Sequence, residues 1–564
     1  MSAERRRLFN YRPVCFAALA LAAGILLAES LYPVNNLFRL IPIAVATAVA
    51  VALLLFRRTR RYAALAVVFV VGVIAMSAAS DIYDSRLPES VQGTFTARVT
   101  SEIISEDGTL SFYVDRLYVD GKKVSGEGRV YVSFGSAPDF GLGDTVALKG
   151  RLMPESHEPF DTYFASSALK GEYFVVYADE ASHLADGEAD FLSRLRVAVK
   201  RMFYVNTDSD TAAICTALVV GDKRGIDDDL YESVQASGLA HILAVSGLHV
   251  TALASAAMWL LRKCRLNPKI SFFVVLALTF AYVALCAFTP SSVRAFIMTG
   301  ALNLGTAFGL KRDLMSSLGL AAFLILLFTP FSVMHVGFLL SVFAVLGIFL
   351  FAEPMKRFFV KGIDRVCPSL FEETNPSVAG ARLLRTDSCD ISEARMRGRA
   401  EAYDYAAGKI VTVKDSAARR VLIRVAEAVS VSLAANFTTL PLAALFFGKV
   451  QTLFVLSNIF ILPYMMIIYT LLLIITPFTL ITGLGGLLGA FDFLLLPFTA
   501  FTRAVGAVSF ASVGVSVSVT AVAVAEVFLV LASRYFFFAR RTRAITLCSV
   551  AAVGAVLCTV FAFA

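Results

Sequence analysis

The sequence predicts a polytopic α-helical membrane protein, with about a dozen transmembrane helices and an extracytoplasmic OB-like β-barrel domain. The chain of 564 residues is 58% hydrophobic and 17% charged, and its mean hydropathy is +0.73. A soluble globular protein of this size does not have so apolar a composition. One polar stretch with strand periodicity follows the third apolar segment.

Apolar segments long enough, or nearly so, to cross a hydrocarbon core of about 30 Å recur along the chain. The first follows Arg5, Arg6 and Arg7 and contains small residues, so a cleavable signal peptide remains the alternative to an uncleaved first span. The segments lie near residues 14–31, 40–56, 62–79, 241–261, 271–288, 292–309, 314–329, 335–352, 421–447, 452–475, 478–497, 507–531 and 544–563.

Basic residues set the expected orientation, because they collect on the cytoplasmic side during insertion whatever the function. The net charge is +8, and its clusters include Arg5–Arg7, 57–61, 262–265 and 534–543. Placing these clusters inside puts the N-terminus in the cytoplasm. Residues 81–190 and the C-terminus then lie outside, provided that residues 207–240 do not cross fully. The prediction is a multi-pass protein of the cytoplasmic (plasma) membrane.

Six regions follow from this pattern. The eight cysteines are scattered, without a CxxC pair, and are interpreted as small core residues. The regions are N-terminal transmembrane helices (1–80), an extracytoplasmic β domain (81–189), an interfacial amphipathic helix (190–206), the first half of a transmembrane core (207–352), a cytoplasmic polar loop (353–420) and the second half of the core (421–564).

Period-two alternation at 94–99, 111–119 and 144–152 predicts strands in the β domain. About five strands in about 90 residues suit a barrel of the OB type, and any other small antiparallel β domain remains open. Residues 81–178 hold fifteen acidic and nine basic side chains, and an acidic surface repels phosphate. Nucleic-acid binding there would need a local basic patch and aromatic stacking, and a structural role is an equal alternative.

The segment 238–250 holds two histidines and a serine at the start of an apolar stretch. On one continuous helix, His241 and His249 would lie about two turns apart, face the same side and bracket Ser246 and Gly247. Polar groups at membrane depth favour a functional role. Zinc hydrolases instead place histidines four residues apart beside a glutamate, so an intramembrane metal-dependent hydrolase is a less favoured alternative. No metal and no cofactor are predicted.

This segment, HisIleLeuAlaValSerGlyLeuHisVal at 241–250, resembles the ComEC family of competence proteins, which carry single-stranded DNA across the cytoplasmic membrane. GlyAspLysArgGly at 221–225 and ThrProSerSerValArgAlaPheIleMet at 289–298 are similar to further family elements. So are residues 330–347 and 432–442, as well as GluProPheAsp at 158–161. The chain departs from the family pattern at His335, Leu339 and Asn436, where an acidic residue and two glutamines are expected.

The resemblance implies a channel for single-stranded DNA during natural transformation, not an enzyme. These 564 residues contain no HisxHisxAspHis cluster for a metallo-β-lactamase-like nuclease, so a channel-only member is expected. A small-solute or lipid transporter remains the alternative. The implied partners are single-stranded DNA, membrane lipid, a DNA receptor outside and an ATP-driven helicase inside, and a homo-oligomer is left open.

A strand of phosphates needs a wet path with few fixed charges, along which weak hydrogen bonds release readily. Asp222 is a candidate for guiding the substrate, and a local ion pair with Lys223 or Arg224 is its alternative. Each path residue also has a purely structural alternative, such as satisfying a neighbouring backbone, and Arg294 has the alternative of snorkelling to the interface. The predicted DNA-path residues are His241, Ser246, Gly247, His249, Thr289, Pro290, Ser291, Arg294, Asn436 and Thr439.

Overall fold

The computed structural model divides the chain into two compact units. The first comprises Met1–Val342 with Tyr464–Val508, and the second comprises Phe343–Pro463 with Ser509–Ala564. The residues that the structure describes are 12–32, 36–55, 60–106, 109–119, 121–133, 139–243, 245, 247–309, 313–366, 371–372, 399–404, 409–415 and 417–532. The apolar segment predicted at 544–563 lies outside them.

Helices in the first unit include the N-terminal group and most of the region that carries the sequence motifs. They are α1 Pro13–Ser30, α2 Asn36–Leu55, α3 Arg60–Asp84, α4 Thr162–Lys170, α5 Phe191–Asn206, α6 Ser209–Val219, α7 Asp228–Ala236, α8 Ala240–Leu243, α9 Gly247–Lys263, α10 Pro268–Leu285, α11 Pro290–Ala307 and α12 Leu314–Phe328. A 3-10 segment, Pro330–Met334, leads into α13, Val336–Gly347.

The remaining helices complete the second unit and the end of the first. A π-helical turn, Ile348–Ala352, joins α13 to the next helix. The helices are α14 Glu353–Val366, α15 Ala417–Phe447, α16 Phe454–Thr482, α17 Ala490–Gly506 and α18 Val519–Ala532. The region 353–420, expected to be a polar loop, is therefore helical as far as Val366, and it also holds a three-stranded sheet of β8 Phe371–Glu372, β9 Arg399–Asp404 and β10 Lys409–Asp415.

Seven helical stretches of the described residues are long and apolar enough to cross a membrane. Three shorter apolar helices accompany them. The prediction of a polytopic helical membrane protein is confirmed, while the count of about a dozen spans stays a prediction. The seven stretches are Pro13–Ser30, Tyr62–Asp84, Pro268–Leu285, Val336–Val366, Arg419–Phe447, Phe454–Thr482 and Gly485–Gly506.

The β domain contains all three strands that the alternation predicts. Its main strands pair in a ring, because β1 is hydrogen-bonded to both β3 and β6. From β3 the ring continues through β5 and β7 to β6, and the β5–β7 pairing is parallel. The strands are β1 Val91–Val99, β2 Ile104–Glu106, β3 Thr109–Val119, β4 Lys122–Lys123, β5 Glu127–Ser133, β6 Thr145–Pro154 and β7 Glu172–Ala185.

Alternate side chains of these strands form the core of the domain. Phe95, Phe112 and Phe174 are fully buried, because alternate side chains of a strand point to the same face. Helix α4 closes the core with Phe164, and it begins at Asp161, whose carboxylate accepts hydrogen bonds from the backbone N–H groups of Tyr163 and Phe164.

A buried acid–base pair joins the domain to the first helix. Glu29, at the end of α1, places Oε1 3.2 Å from His157 Nε2, and the same oxygen accepts a hydrogen bond from the backbone N–H of Phe160. The imidazole lies between the rings of Tyr32 and Phe164. The GluProPheAsp element at 158–161 thus belongs to the attachment of the β domain to α1.

Helix α5 buries only part of its apolar face. Val199 and Phe203 are buried, but Phe191 at its start is 69% exposed. Lys200 on its polar face forms ion pairs with Glu102 and Asp222. The helix is amphipathic, and both its apolar and its polar face contact the rest of the protein.

In the second unit, α13 and α15 cross closely at a glycine. A Cβ atom built on Gly347 would lie 2.2 Å from Thr438 Oγ1 and 2.3 Å from the Ala434 carbonyl oxygen. Thr438 also donates a hydrogen bond of 2.7 Å to the carbonyl of Phe343. Small residues allow helix backbones to approach in this way in membrane proteins.

Candidate functional site

The segment 238–250 is not one helix. Helix α8 ends at Leu243 and α9 begins at Gly247, with Val245 buried between them. The prediction that His241 and His249 share one continuous helix is therefore wrong. Ser246 lies outside the described residues. The 221–225 loop lies against the residue between the two helices, because a Cβ atom added at Gly221, whose φ is +89°, would lie 3.1 Å from Val245 Cγ2.

His249 is buried beside an aromatic side chain of a distant helix. Its ring centroid lies 4.2 Å from that of Tyr469 on α16, and the Tyr469 hydroxyl donates a hydrogen bond of 3.4 Å to the His249 carbonyl. His241 is exposed, and its Nδ1 lies 3.0 Å from the Gly238 carbonyl oxygen. The two histidines thus occupy different environments, and their role on a DNA path stays a prediction.

Arg294 is the buried cation of this region. It is only 5% exposed, so the alternative that it snorkels to the membrane surface does not fit its position. Within the described part of the chain, neither Nε nor Nη1 has a hydrogen-bond partner. Its Nη2 lies 3.2 Å from where a Cβ on Gly247 would be. The absence of a side chain at Gly247 lets the guanidinium lie against the first residue of α9.

Two positive electrostatic sources therefore meet at this point. A helix N-terminus carries partial positive charge and unpaired N–H groups, which favour an anion. The Arg294 guanidinium adds a full charge. Residues 233–312 contain no Asp or Glu, so this stretch supplies no carboxylate of its own. The arrangement has the chemistry of a site for an anionic group.

The turn before α11 positions Arg294. Ala287 and Phe288 both adopt left-handed backbone conformations, with φ of 55° and 52°, which are uncommon for residues with a side chain. Pro290 then occupies the first turn of α11, where its fixed φ suits a helix start. Thr289 Oγ1 donates a hydrogen bond of 2.9 Å to Ser292 Oγ, and Ser292 donates to the Thr289 carbonyl.

Ser292 and Arg196 make contacts that the sequence did not predict. Ser292 is fully buried, whereas its predicted neighbour Ser291 is only partly buried. Arg196 of α5 donates hydrogen bonds of 2.8 and 2.9 Å to the carbonyls of Leu285 and Ala284, at the end of α10. Both carbonyls lie in the last turn of α10, where carbonyls lack the regular intrahelical partner, and that of Ala284 also accepts the backbone N–H of Ala287. Helix α5 therefore holds the turn between α10 and α11.

Asp222 lies in a charge network. It accepts hydrogen bonds from the Arg224 guanidinium at 2.8 and 3.0 Å, and Lys200 Nζ lies 3.4 Å away and also contacts Glu102 of the β domain. Burial alone would raise the pKa of Asp222, but the hydrogen bonds and charges of Arg224, with that of Lys200, lower its pKa to about 2. The local pairing with Arg224 is thus present, and guidance of a substrate stays a prediction.

Asn436 and Thr439 belong to α15 in the second unit. Asn436 donates a hydrogen bond to the Ser432 carbonyl and Thr439 to the Ala435 carbonyl, both one turn earlier in the helix. Ser432 Oγ also accepts a hydrogen bond of 2.8 Å from Asn458, which the sequence did not single out. Both predicted residues therefore have intrahelical partners, and a role on the path stays a prediction.

Among the described residues, three side chains that could ligate a metal lie close together on the β domain. Asp144, His183 and Asp186 place one ligand atom each within 4.8 Å of the others. His183 and Asp186 are largely exposed, and both Asp144 oxygens accept backbone N–H groups. This group does not include His241 or His249, the residues on which the alternative of a metal-dependent hydrolase depends.

The fold and this buried site define a polytopic helical membrane protein with a β domain. Residues 218–542, more than half of the chain, match the sequence model of the family described as "Competence protein". The chain belongs to the competence protein family.

ComE operon protein 3 of Bacillus subtilis (strain 168) is 31% identical to this chain over 132 residues. The matched region is 23% of this chain and 17% of that relative, so the match spans about a sixth of the relative's length. No solved structure matches the chain.

Proposed function

We propose that the chain is a membrane channel that translocates single-stranded DNA across the cytoplasmic membrane during natural transformation. Family membership supports a role in competence. The observation that carries the proposal is Arg294, a buried guanidinium without a hydrogen-bond partner for Nε and Nη1 in the described residues, set against the first residue of α9. A phosphodiester is an anion that this arrangement would accept.

The path would bind each phosphate weakly enough to release it. Arg294 supplies one fixed charge, and hydroxyl and imidazole groups, among them Thr289, His241 and His249, supply hydrogen bonds that exchange readily. The buried contact between His249 and Tyr469 would hold α9 in place beside α16. A single strong anchor followed by weak contacts lets a strand move when it is pulled.

The β domain would lie outside the membrane as a barrel of the OB type. The barrel type is supported by the ring of five strands, in which one pairing is parallel and the others are antiparallel. The basic clusters would place the N-terminus in the cytoplasm. In this orientation the network of Glu102, Lys200 and Asp222 connects the outer domain to the motif loop at 221–225.

The energy for translocation would come from partner proteins. A DNA receptor outside would present the strand, and an ATP-driven helicase inside would pull it, with residues 353–420 as a docking surface. Asn436 and Thr439, on α15 of the second unit, would offer hydrogen-bonding groups to a DNA strand. Deletion of residues 373–398 should weaken helicase recruitment while leaving the amount of membrane protein unchanged, and unaltered recruitment would remove the docking proposal.

The test is transformation frequency, with internalised labelled DNA counted in parallel, in a strain that lacks this gene. The strain is complemented at matched membrane levels with wild type, Arg294→Gln, Arg294→Lys or the control Arg420→Gln, which changes an exposed arginine of α15 without an ion pair among the described residues. Arg294→Gln should lower uptake roughly tenfold to a hundredfold, as expected for loss of a charge-assisted hydrogen bond. Arg294→Lys should retain part of the DNA uptake, because lysine keeps the positive charge.

Unchanged uptake in the deletion strain would contradict the channel and favour a transporter of a small solute or lipid. Normal uptake by Arg294→Gln in a strain that depends on this gene would instead remove Arg294 from the path.

A further inference from the structure

The turn between α9 and α10 carries a surface of exposed cations and apolar side chains. Residues 262–269 contain four basic side chains and no acidic one. All four are exposed, and none forms an ion pair with another described residue. We define the α9–α10 turn surface by Trp259, Arg262, Lys263, Arg265 and Lys269.

No local carboxylate neutralises these cations. The chain has no Asp or Glu between Glu232 and Asp313, so neither helix of the hairpin provides a partner at helical spacing. Elsewhere among the described residues, cations of the helices do find acids, as Lys356 does at Glu427 and Arg419 at Asp364. Among the described residues no acid pairs with the four charges at the α9–α10 turn, which leaves them available to an external anion.

Apolar side chains border the cations on both helices. Trp259 is 61% exposed, and Leu260, Leu266 and Ile270 are exposed beside the basic residues. Helix α10 is one of the stretches long and apolar enough to span a membrane, and it begins at this turn. The cations thus lie where an exposed apolar helix surface ends, which is where the polar boundary of a bilayer is expected.

The surroundings of Trp259 are typical of a tryptophan at the boundary of a membrane. Lys263 Nζ lies 4.7 Å above the Trp259 ring, and Lys269 Nζ lies 5.5 Å from the Phe308 ring. Tryptophan is enriched at the level of lipid headgroups, and lysine stems lie along apolar surface while the ammonium reaches polar groups. Nucleic acid or an acidic peptide would complement the charges but leave the aliphatic rim exposed to water.

We infer that the α9–α10 turn surface binds the phosphate headgroups of anionic phospholipids. The guanidinium groups of Arg262 and Arg265 supply paired N–H donors for phosphate oxygens, and the two lysines supply additional charge. The apolar rim holds the acyl region of the same lipid. This binding is independent of the proposed DNA path.

Trp259 makes the inference directly measurable. It is the single tryptophan of the chain, so tryptophan fluorescence reports from this surface alone. The full chain is placed in nanodiscs of phosphatidylcholine that contain either brominated phosphatidylglycerol or brominated phosphatidylcholine at the same mole fraction, and quenching of Trp259 is compared. Each participating cation is expected to favour the anionic lipid by about fivefold, so quenching by phosphatidylglycerol should be clearly stronger.

The variant Arg262→Gln/Arg265→Gln/Lys269→Gln keeps Trp259 and Lys263, and it should lose most of this preference. The control Lys122→Gln/Lys123→Gln/Arg151→Gln removes three exposed cations from the β domain and should keep it. Melting temperatures of both variants equal to that of the wild type show that the fold is intact. The wild-type preference should also fall as ionic strength rises.

Equal quenching of the wild type by the two lipids would overturn the inference. A single-stranded oligonucleotide is added to phosphatidylcholine nanodiscs as a separate arm. If it changed Trp259 emission in the wild type and not in the triple variant, the surface would be assigned to nucleic acid and the lipid inference would be wrong.

Discussion

His157 Nε2 lies 3.2 Å from Glu29 Oε1, and neither side chain has exposed surface. The histidine belongs to the loop before α4 and the glutamate to the end of α1, so this pair couples the β domain to the first helix of the chain. The remaining atoms of the pair, Glu29 Oε2 and His157 Nδ1, have no hydrogen-bond partner among the described residues. The attachment therefore includes two polar contacts of Glu29 Oε1, with His157 and with the backbone N–H of Phe160, beside an aromatic cluster.

Glu29→Ala should destabilise this attachment by about 1–3 kcal/mol, because it leaves a buried polar partner without a hydrogen bond. Glu158→Ala is the control, since Glu158 is exposed and one residue from His157. Thermal unfolding of the full chain in detergent, together with proteolysis in residues 155–161, measures the effect. Equal melting and equal cleavage of the two variants would contradict it.

Asp222→Asn should lower the free energy of unfolding by about 2 kcal/mol at neutral pH, since the wild-type carboxylate has its pKa lowered to about 2 by its cations. A lowered folded-state pKa gives stabilisation that is fully present above about pH 4 and is lost as the pH falls towards 2. The difference between variant and wild type should therefore be constant from pH 5 to 8. Asp179→Asn, at an exposed aspartate of β7, should change little, and a difference that grew above pH 5 would argue against the assignment.

Gly247→Ala should impair DNA uptake with little change in stability. Its Cβ would stand 3.2 Å from Arg294 Nη2 and 3.5 Å from Ala295 Cβ, so the end of a flexible side chain must shift by a few tenths of an ångström. Gly486→Ala is the control, because an added Cβ there meets no atom within 4 Å. The measurements are melting temperature and transformation frequency. A normal frequency for Gly247→Ala would show that the position of Arg294 is not critical.

Gly347→Ala should destabilise the second unit by about 1–3 kcal/mol, since the new Cβ would overlap the Ala434 carbonyl and the helix backbones must separate. Gly362→Ala, on α14, meets no atom within 4 Å and should be neutral or stabilising by up to about 1 kcal/mol, as alanine favours a helix. Thermal unfolding of both variants tests the contrast. Similar melting temperatures would indicate that α13 and α15 are not closely packed at Gly347.

The sequence by itself determined the class of protein, because hydropathy over about twenty residues and strand alternation are local properties of the chain. It also singled out 241–250, 221–225 and 289–298, which lie within the matched family region. It did not predict the break between Leu243 and Gly247, since an apolar segment by itself predicts one continuous helix.

Tertiary structure decided which of these residues meet. Gly247 and Arg294 lie on different helices and come together through packing, and Asp222 is paired with Lys200 as well as with its neighbour Arg224. His249 contacts Tyr469, which is 220 residues away in the chain. Hydropathy and helical spacing act over a few turns, whereas these contacts depend on how distant helices pack, and only the folded chain brings them together.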